Sequence, residues 1–251
     1  MTHRLAPART VVFSPHPDDD VLGCGGTIVH RLQAGHVIDI VYLTDGRNSH
    51  SLVLGIVEQP TPAEVAIVRQ AEAWNAAEIL GVTERGSLSF LEFEDGSLAA
   101  HSEEATIAVR QILAELSPTE VFYPSSCDQH PDHRATHEIV EAAISTLPIK
   151  PDRYCYTIWA GESLSPCEHK TRMDIKDVVG LKREAIEEHR SQLEVLYPSQ
   201  SSPVLSSTFI ENFLADYEEF SYTPSSKQDV IRGLPAVGHG AGTIAPRRRS
   251  R

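Results

Sequence analysis

Residues 14–27 read SPHPDDDVLGCGGT and decide the fold prediction. They follow an apolar, β-branched run at residues 10–13, which predicts a buried strand that ends where the polar residues begin. Residues 23–35 are compatible with a helix, and residues 37–43 read as a second strand. One histidine and three consecutive aspartates therefore lie on a strand-to-helix loop, the place where open α/β sheets bind their ligands. Because no basic residue in the stretch neutralises these carboxylates, the cluster indicates a bound cation.

A second cluster, YPSSCDQHPDH at residues 123–133, stands in the same context more than a hundred residues later. It follows an apolar run at residues 121–123 and precedes a helical pattern over residues 135–145. A lone His-Pro-Asp string is usually an ordinary turn, in which the aspartate binds backbone N–H groups. Two such strings, each after a predicted strand, favour a functional site instead.

The rest of the pattern alternates strands with helices, as a parallel sheet with crossover helices requires. Further helices are predicted over residues 62–80, 103–116 and 181–196, and further strands over residues 87–91, 153–159 and 173–175. We therefore predict an α/β, Rossmann-like, doubly wound and mostly parallel sheet with helices on both faces. With strand order 3-2-1-4-5, strands 1 and 4 are neighbours, so both histidine loops meet at the carboxyl edge of the sheet.

The chain has 251 residues and 41% hydrophobic content, which suits a single domain with a substantial core. We assign residues 1–232 to this domain. Residues 233–251 are rich in Gly, Pro, Ala and Arg, and this composition predicts a flexible basic C-terminal tail. Residues 48–59 lack a clear period and follow the second strand, so they are predicted to form a substrate-facing loop.

Composition limits the partners of the chain. The 22 Lys and Arg residues against 35 Asp and Glu residues give a formal net charge of −13, which argues against nucleic acid. No secretory signal is visible, and no apolar run approaches the roughly 20 residues of a membrane helix. We expect a cytoplasmic protein with no membrane partner. The four cysteines show no Cys-x-x-Cys spacing, which speaks against a thiol-rich zinc site. The sequence leaves open whether the protein is a homo-oligomer.

The motifs His-Pro-Asp-Asp at residues 16–19 and His-Pro-Asp-His at residues 130–133 resemble the pair that marks the PIG-L and LmbE-like family. An Arg-x-x-Glu helix that ends in Leu-Gly, at residues 69–81, and a His-x-Ser-Gln stretch at residues 189–192 are similar to further family features. Members are zinc-dependent N-acetylglucosaminyl deacetylases. The resemblance thus implies a metal-dependent hydrolase that removes the acetyl group from an N-acetylglucosamine-containing small molecule.

A catalytic zinc typically takes three His or Asp/Glu ligands and leaves one position for water. His16, Asp19 and His133 supply such a set, and they stand at the positions that match the family's metal ligands. Two imidazoles and one carboxylate also fit Fe2+, so the residues alone do not choose between the two metals. Zn2+ is the expected cofactor.

The resemblance also implies roles for the remaining motif residues. Asp18 matches the family's general base, which takes a proton from water as the water attacks the amide carbonyl. His130 is expected to donate to the oxyanion and later to the leaving amine, and Asp132 to hold His130 and raise its pKa.

Arg47 is a predicted substrate-binding residue because of its place after the second strand, with a solvated loop side chain as the alternative. Arg69, on the Arg-x-x-Glu helix, is the other predicted substrate-binding residue. Its alternatives are a surface pair with Glu72 and, by the resemblance, a brace of the site.

Asp128 stands where some family members have a tyrosine that assists oxyanion binding, so that assistance must come from elsewhere or a different substrate is handled. One alternative is therefore an amidase of another N-acyl substrate, such as a thiol-sugar conjugate or an acylated metabolite. Another is a non-catalytic sugar-binding protein of the same fold. A nucleotide-binding loop is disfavoured because the Gly-x-Gly-Gly at residues 23–26 lacks the third glycine of the full pattern.

Overall fold

The computed structural model describes residues 7–160 and 170–225. The tail predicted at residues 233–251 lies outside the described residues. The described strands form one seven-stranded sheet with the order β3-β2-β1-β4-β5-β7-β6. The strands are β1 (Arg9–Ser14), β2 (Val37–Thr44), β3 (Ser87–Phe93), β4 (Glu120–Pro124), β5 (Asp152–Tyr156), β6 (Lys170–Asp174) and β7 (Tyr217–Thr223).

Strands β1 to β5 pair in parallel, and β7 is antiparallel to both β5 and β6. The predicted doubly wound α/β sheet and the order 3-2-1-4-5 are confirmed. The helices are α1 (Asp19–Gln33), α2 (Ser49–Leu54), α3 (Pro62–Leu80), α4 (Ser102–Leu116), α5 (Pro131–Ser145), α6 (Val179–Glu187), α7 (Arg190–Leu193) and α8 (Ser207–Glu211). None of the helices in the described ranges is long and apolar enough to cross a membrane.

The sheet is covered on both faces because successive residues of its central strands enter different cores. Val12 of β1 packs in a cluster with apolar residues of α1, α3 and α6. Its neighbours Val11 and Phe13 pack in a second cluster with residues of α4 and α5. This alternation follows from the two-residue period of a strand, and it buries the apolar run that predicted β1.

Helix α3 has the bounds that the sequence predicts, since both of its ends carry strong signals. Thr61 and Glu64 form a reciprocal capping box, and Pro62 occupies the first turn. Gly81 ends the helix with φ 84°, a left-handed conformation that glycine adopts without strain. These fixed ends determine which residues of α3 face the sheet edge.

The C-terminal part of the described chain differs most from the sequence prediction. The helix predicted over residues 181–196 is interrupted at Glu188 and His189, which separate α6 from α7. Strand β7 has no counterpart in the prediction. Its inward-facing residues include Glu218, which is 4% exposed, so the strand lacks the apolar alternation by which a half-buried strand is identified.

Glu218 is buried because its carboxylate caps the part of α1 that follows a break in the helix. The helix has non-helical backbone angles at Cys24, and two backbone N–H groups just after this break bond to a side chain. Glu218 accepts hydrogen bonds from the backbone N–H of Gly26 at 2.9 Å and of Thr27 at 2.8 Å. It also pairs with the buried Lys182 at 2.6 Å. A carboxylate at this point accepts hydrogen bonds from the free N–H groups at the start of a helical turn. It also interacts favourably with the positive end of the helix dipole.

Replacement of Glu218 by Ala is expected to destabilise the fold by about 3–5 kcal/mol, because it leaves the buried Lys182 ammonium without its counter-charge. Denaturant unfolding monitored by circular dichroism measures the change.

The matched control is Glu219→Ala on the next residue of β7. Glu219 pairs with Lys170 and Arg172 at the surface, and a surface pair contributes about 0–1 kcal/mol. Equal losses in the two variants would contradict the role of Glu218.

Candidate functional site

The parallel pairing of β1 with β4 brings the two histidine loops together at the carboxyl edge of the sheet. The ring centroids of His16 and His130 are 4.8 Å apart, those of His16 and His133 5.3 Å, and those of His130 and His133 5.0 Å. His16 is 7% exposed and His133 is fully buried. Residues more than a hundred positions apart in the sequence thus form one cluster.

A single carboxylate oxygen joins the two loops. Oδ2 of Asp19 lies 3.0 Å from Nδ1 of His16 and 3.1 Å from Nε2 of His133. Ligand atoms held at roughly 2.0–2.2 Å from a tetrahedral zinc are about 3.3–3.6 Å apart, so the observed separations are slightly shorter than, but close to, those of ligands that share a metal ion. The contact to His16 has the geometry of a hydrogen bond, whereas the contact to His133 does not.

Two groups of three residues in the cluster, both without Asp19, have ligand atoms that lie within 4.8 Å of one another. One group is His16, His130 and His133, and the other is His16 with Asp95 and Asp132. His16 belongs to both groups and also to the set joined by Asp19. The site is therefore rich in nitrogen and oxygen donors that suit a divalent metal ion.

Each of the two histidines that contact Asp19 has a carboxylate behind its other ring nitrogen. Nδ1 of His133 lies 3.1 Å from Oδ2 of Asp128. Nε2 of His16 lies 3.1 Å from Oδ1 of Asp95 and 3.4 Å from Oδ2 of Asp132. In metal sites such carboxylates fix the tautomer and the orientation of a ligating imidazole.

The charges in the cluster are unbalanced in a way that a cation would correct. Five buried carboxylates stand around the histidines with one buried guanidinium, that of Arg69; the carboxylates are Asp18, Asp19, Asp95, Asp128 and Asp132. Burial alone would raise the pKa of Asp19, but the contacts with His133 and His16 hold it well below its usual range. Burial likewise opposes protonation of His133, but Asp19 and Asp128 raise its pKa to about 9. The donors in this cluster therefore fit a divalent cation.

Asp18 has an unusual backbone and a buried ion pair. Its φ is 142°, a conformation that costs a non-glycine residue about 1–3 kcal/mol and persists only where neighbouring contacts enforce it. The Arg69 guanidinium supplies these contacts, since Nη2 lies 2.9 Å from Oδ2 of Asp18 and donates to the carbonyl of Pro17 at 2.7 Å. Burial raises the pKa of Asp18 to about 7, against the lowering effect of Arg69.

The relation between His130 and Asp132 differs from the prediction. The carboxylate of Asp132 accepts from the backbone N–H groups of Gly96 at 2.7 Å and Leu98 at 3.1 Å, and it faces His16 rather than His130. His130 is instead the N-cap of α5, and its Nδ1 accepts from the backbone N–H of Asp132 at 3.2 Å. Burial and the neighbouring His16 and His133 lower the pKa of His130 to about 4, although Asp132 acts to raise it, so the net shift is opposite to the expected rise.

This hydrogen bond defines the tautomer of His130. Because Nδ1 acts as an acceptor, the neutral ring carries its proton on Nε2. The cap therefore leaves an Nε2–H donor on a residue that lines the same cavity as His16, Asp18 and Asp19.

The two predicted substrate-binding arginines have different surroundings. The side chain of Arg47 pairs with Asp45 and lines a separate depression with Pro17 and Ile67, so the structure does not bring it into the cavity of the histidines. Arg69 does line that cavity. Its two terminal nitrogens are occupied by Asp18, Pro17 and Gly46, and the residue braces the loop.

The His-x-Ser-Gln stretch contacts α3, the helix that carries Arg69. Glu72 of α3 accepts from the backbone N–H and the hydroxyl of Ser191, both at 2.7 Å. Gln192 lines the cavity, and its amide donates to Ser191 at 2.8 Å. His189 is 2% exposed, and neither ring nitrogen has a hydrogen-bond partner among the described residues. Burial lowers its pKa to about 3.

Sequence reasoning missed Asp95 and gave Asp128 no role. Asp95 follows β3 and its carboxylate accepts from the backbone N–H of Asn48 at 2.9 Å while it faces His16. The rule that polar residues after parallel strands meet at one edge identifies it, because β3 lies beside β2 in the same sheet. Asp128 accepts from Ile158 and Trp159 of the loop after β5, a contact that the local sequence does not reveal.

Known proteins resemble this chain in sequence and in fold. The profile of the family described as "PIG-L: GlcNAc-PI de-N-acetylase" matches residues 11–144. A Bacillus cereus protein described as probable N-acetyl-alpha-D-glucosaminyl L-malate deacetylase 2 is 31% identical over 75% of this chain and 85% of its own. The diacetylchitobiose deacetylase of Thermococcus kodakarensis is 30% identical over 73% of this chain and 70% of its own.

A solved structure has the same fold. The N,N'-diacetylchitobiose deacetylase of Pyrococcus horikoshii superposes with a TM-score of 0.64 at 24% identity, over 86% of this chain and 84% of that one. The family match covers more than half of the 251 residues and includes both histidine motifs. The chain therefore belongs to the PIG-L family of N-acetylglucosaminyl deacetylases.

Proposed function

We propose that this protein hydrolyses the N-acetyl group of a small N-acetylglucosamine-containing molecule, with zinc held by His16, Asp19 and His133. The observation that carries the proposal is the position of Asp19 Oδ2, 3.0 Å and 3.1 Å from nitrogens of the two histidines. The substrate class is taken from the relatives, whose names specify deacetylation of N-acetylglucosamine derivatives.

The choice of these ligands over the other groups rests on how the imidazoles are supported. His16 and His133 each face a buried carboxylate through the nitrogen that does not contact Asp19, which is the usual arrangement of a ligating histidine. Nδ1 of His130 is used by the cap of α5. Two imidazoles and one carboxylate leave a position open for water and substrate. Iron(II) fits the same triad, and metal analysis distinguishes the two.

A bound divalent metal ion supplies a Lewis acid that polarises the amide carbonyl and makes water nucleophilic near neutral pH. Asp18 serves as the general base of the attack. Burial raises its pKa above the ordinary range of a carboxylate, toward the range in which a group both accepts a proton and returns it efficiently near neutral pH. The Arg69 brace holds this carboxylate, and the strained backbone fixes its direction.

His130 stabilises the oxygen that gains negative charge when the amide is attacked. Its Nε2–H is a neutral donor whose direction is set by the cap at Nδ1, and a preorganised donor of this kind strengthens as the charge develops. Because the capped ring resists a second proton, Asp18 delivers the proton to the leaving amine. Asp128 positions the His133 imidazole, and Asp95 and Asp132 position that of His16.

A non-catalytic sugar-binding role is less well supported. A binding protein needs neither a buried base beside the metal ligands nor a strained backbone to direct it. Asp18 has both features, and the two together favour turnover.

The proposal is tested by the metal content of the purified protein and by acetate release from methyl 2-acetamido-2-deoxy-β-D-glucopyranoside. We expect about one zinc per chain, as one closed ligand set predicts, and acetate release that stops when a chelator is added. Addition of zinc to the chelated protein is then expected to restore acetate release. Acetate release that persists in the metal-free protein would refute the proposed mechanism.

Replacement of Asp18 by Asn is expected to retain zinc and lower kcat by about 100-fold or more, the usual contribution of a general base. Acetate release and elemental analysis on the same sample measure both quantities.

The contrasting variant is His133→Ala, which is expected to lose zinc and activity together because it removes a ligand. Wild-type turnover in the Asp18→Asn variant would exclude Asp18 as the base, and a normal zinc content in the His133→Ala variant would exclude His133 as a ligand.

Replacement of Asp128 by Asn is expected to weaken zinc binding by roughly 10–100-fold, since the outer carboxylate no longer fixes the His133 ring. Competition against a chromophoric chelator measures the affinity.

Asp45→Asn is the matched control, because Asp45 is also buried but pairs with Arg47 away from the histidines. Thermal unfolding in excess chelator checks that both variants fold. Equal zinc affinity in the Asp128→Asn variant and the wild-type protein would show that Asp128 does not position the ligand.

A further inference from the structure

The cavity that contains the candidate metal ligands continues into an apolar wall. Besides His16, Asp18, Asp19, Asp95 and His130, the residues that line it are mostly hydrophobic. Those hydrophobic residues are Leu22, Leu52, Val53, Ile158, Trp159, Val204, Leu205 and Phe209. In the described lining, the charged and histidine residues named first form the floor of the cavity, and the hydrophobic residues form its wall.

Part of this wall is exposed to solvent at the mouth of the cavity. Leu52 is 67% exposed, Val53 59% and Trp159 36%. Leu52 and Val53 lie on α2, the segment that the sequence predicts as a substrate-facing loop. Large apolar side chains that lie together and exposed beside a charged site indicate a surface that another apolar group covers.

The part of the wall formed by Trp159, Leu205 and Phe209 is supported by ring stacking or by the core and is therefore preformed. The rings of Trp159 and Phe209 stack with centroids 4.4 Å apart and an interplanar angle of 23°. Phe209 and Leu205 also pack against the main hydrophobic cluster. A ligand that contacts these side chains does not have to order them first.

The polar groups of the wall do not suit a charged or sugar-like substituent. Apart from the floor residues and Arg69, the described lining offers only Ser49 and Gln192 as polar side chains. The Arg69 terminal nitrogens are engaged by the protein, and Gln192 donates to Ser191. Within the described residues, the lining has no uncommitted cationic side chain to hold a carboxylate or a phosphate.

We infer that the substrate of this site is an N-acetylglucosaminide whose aglycone is apolar, an alkyl or aryl group that lies against Leu52, Val53, Trp159 and Phe209. The inference rests on the proposed deacetylation. The acyl group that reacts is then an acetyl, whose single methyl is too small to cover a wall built from four segments of the chain. The apolar group belongs to the other end of the substrate.

The test compares kcat/KM for acetate release from methyl and octyl 2-acetamido-2-deoxy-β-D-glucopyranosides, with the octyl compound below its micellar concentration. One methylene group in a hydrophobic pocket changes kcat/KM by about tenfold or more, so the wild-type octyl-to-methyl ratio is expected to be at least about 10. In the double variant Leu52→Ser/Val53→Ser this ratio is expected to fall several-fold.

The matched control is the double variant Ile107→Ser/Ile149→Ser. Both isoleucines are exposed, at 41% and 60%, and neither lines the cavity, so this protein is expected to keep the wild-type ratio. An equal fall in both double variants would mean that general surface hydrophobicity, not the wall, binds the octyl chain, and it would overturn the inference.

The remaining outcomes separate the inference from the proposed function. Equal kcat/KM for the two glycosides in an active wild-type enzyme overturns the apolar aglycone and leaves deacetylation intact. A rate gain with N-octanoylglucosamine but none with the octyl glycoside overturns it as well, because the wall would then hold an acyl chain. No acetate from any glycoside by the zinc-loaded protein refutes the proposed function, and the inference falls with it.

Discussion

The parallel pairing of β1 with β4 is the constraint on which the candidate centre depends. Both strands end at the same edge, so His16 and His133, which lie in different halves of the sequence, reach one carboxylate of Asp19. The proposed ligand set draws on both loops, with His16 and Asp19 from the first and His133 from the second. The reversal of winding between these two strands creates the space in which the loops meet.

Charge is concentrated at this edge at a considerable cost in free energy. Carboxylates are rarely buried without a partner, yet several surround the histidines. Part of this charge is compensated within the protein, since Arg69 neutralises Asp18 directly and other carboxylates face imidazoles or accept backbone N–H groups. Helix α3 also connects two segments that are distant in the sequence, because Arg69 donates to the Pro17 carbonyl and Glu72 accepts from Ser191.

The sequence predicts those parts of the structure whose signals are local. Strand β1 and helix α3 follow from an apolar run and from capping residues, and the histidine motifs follow from residue types at fixed spacing. The contacts of His130 and Asp132 could not be predicted, because a backbone N–H at the N-cap replaces the carboxylate as the partner of the ring. Strand β7 escaped prediction because its inward face carries Glu218, a residue that is buried only through its tertiary partners.

The position of Glu218 in the chain bears on how the protein is made. The carboxylate that completes the broken helix α1 lies 192 positions after Gly26, although that helix carries Asp19 at its start. During synthesis at about 5–20 residues per second, Gly26 is made roughly 10–40 s before its partner. A nascent chain therefore holds both histidine loops before the last strand of the described sheet exists. The helix that carries Asp19 is completed only when synthesis has passed β7.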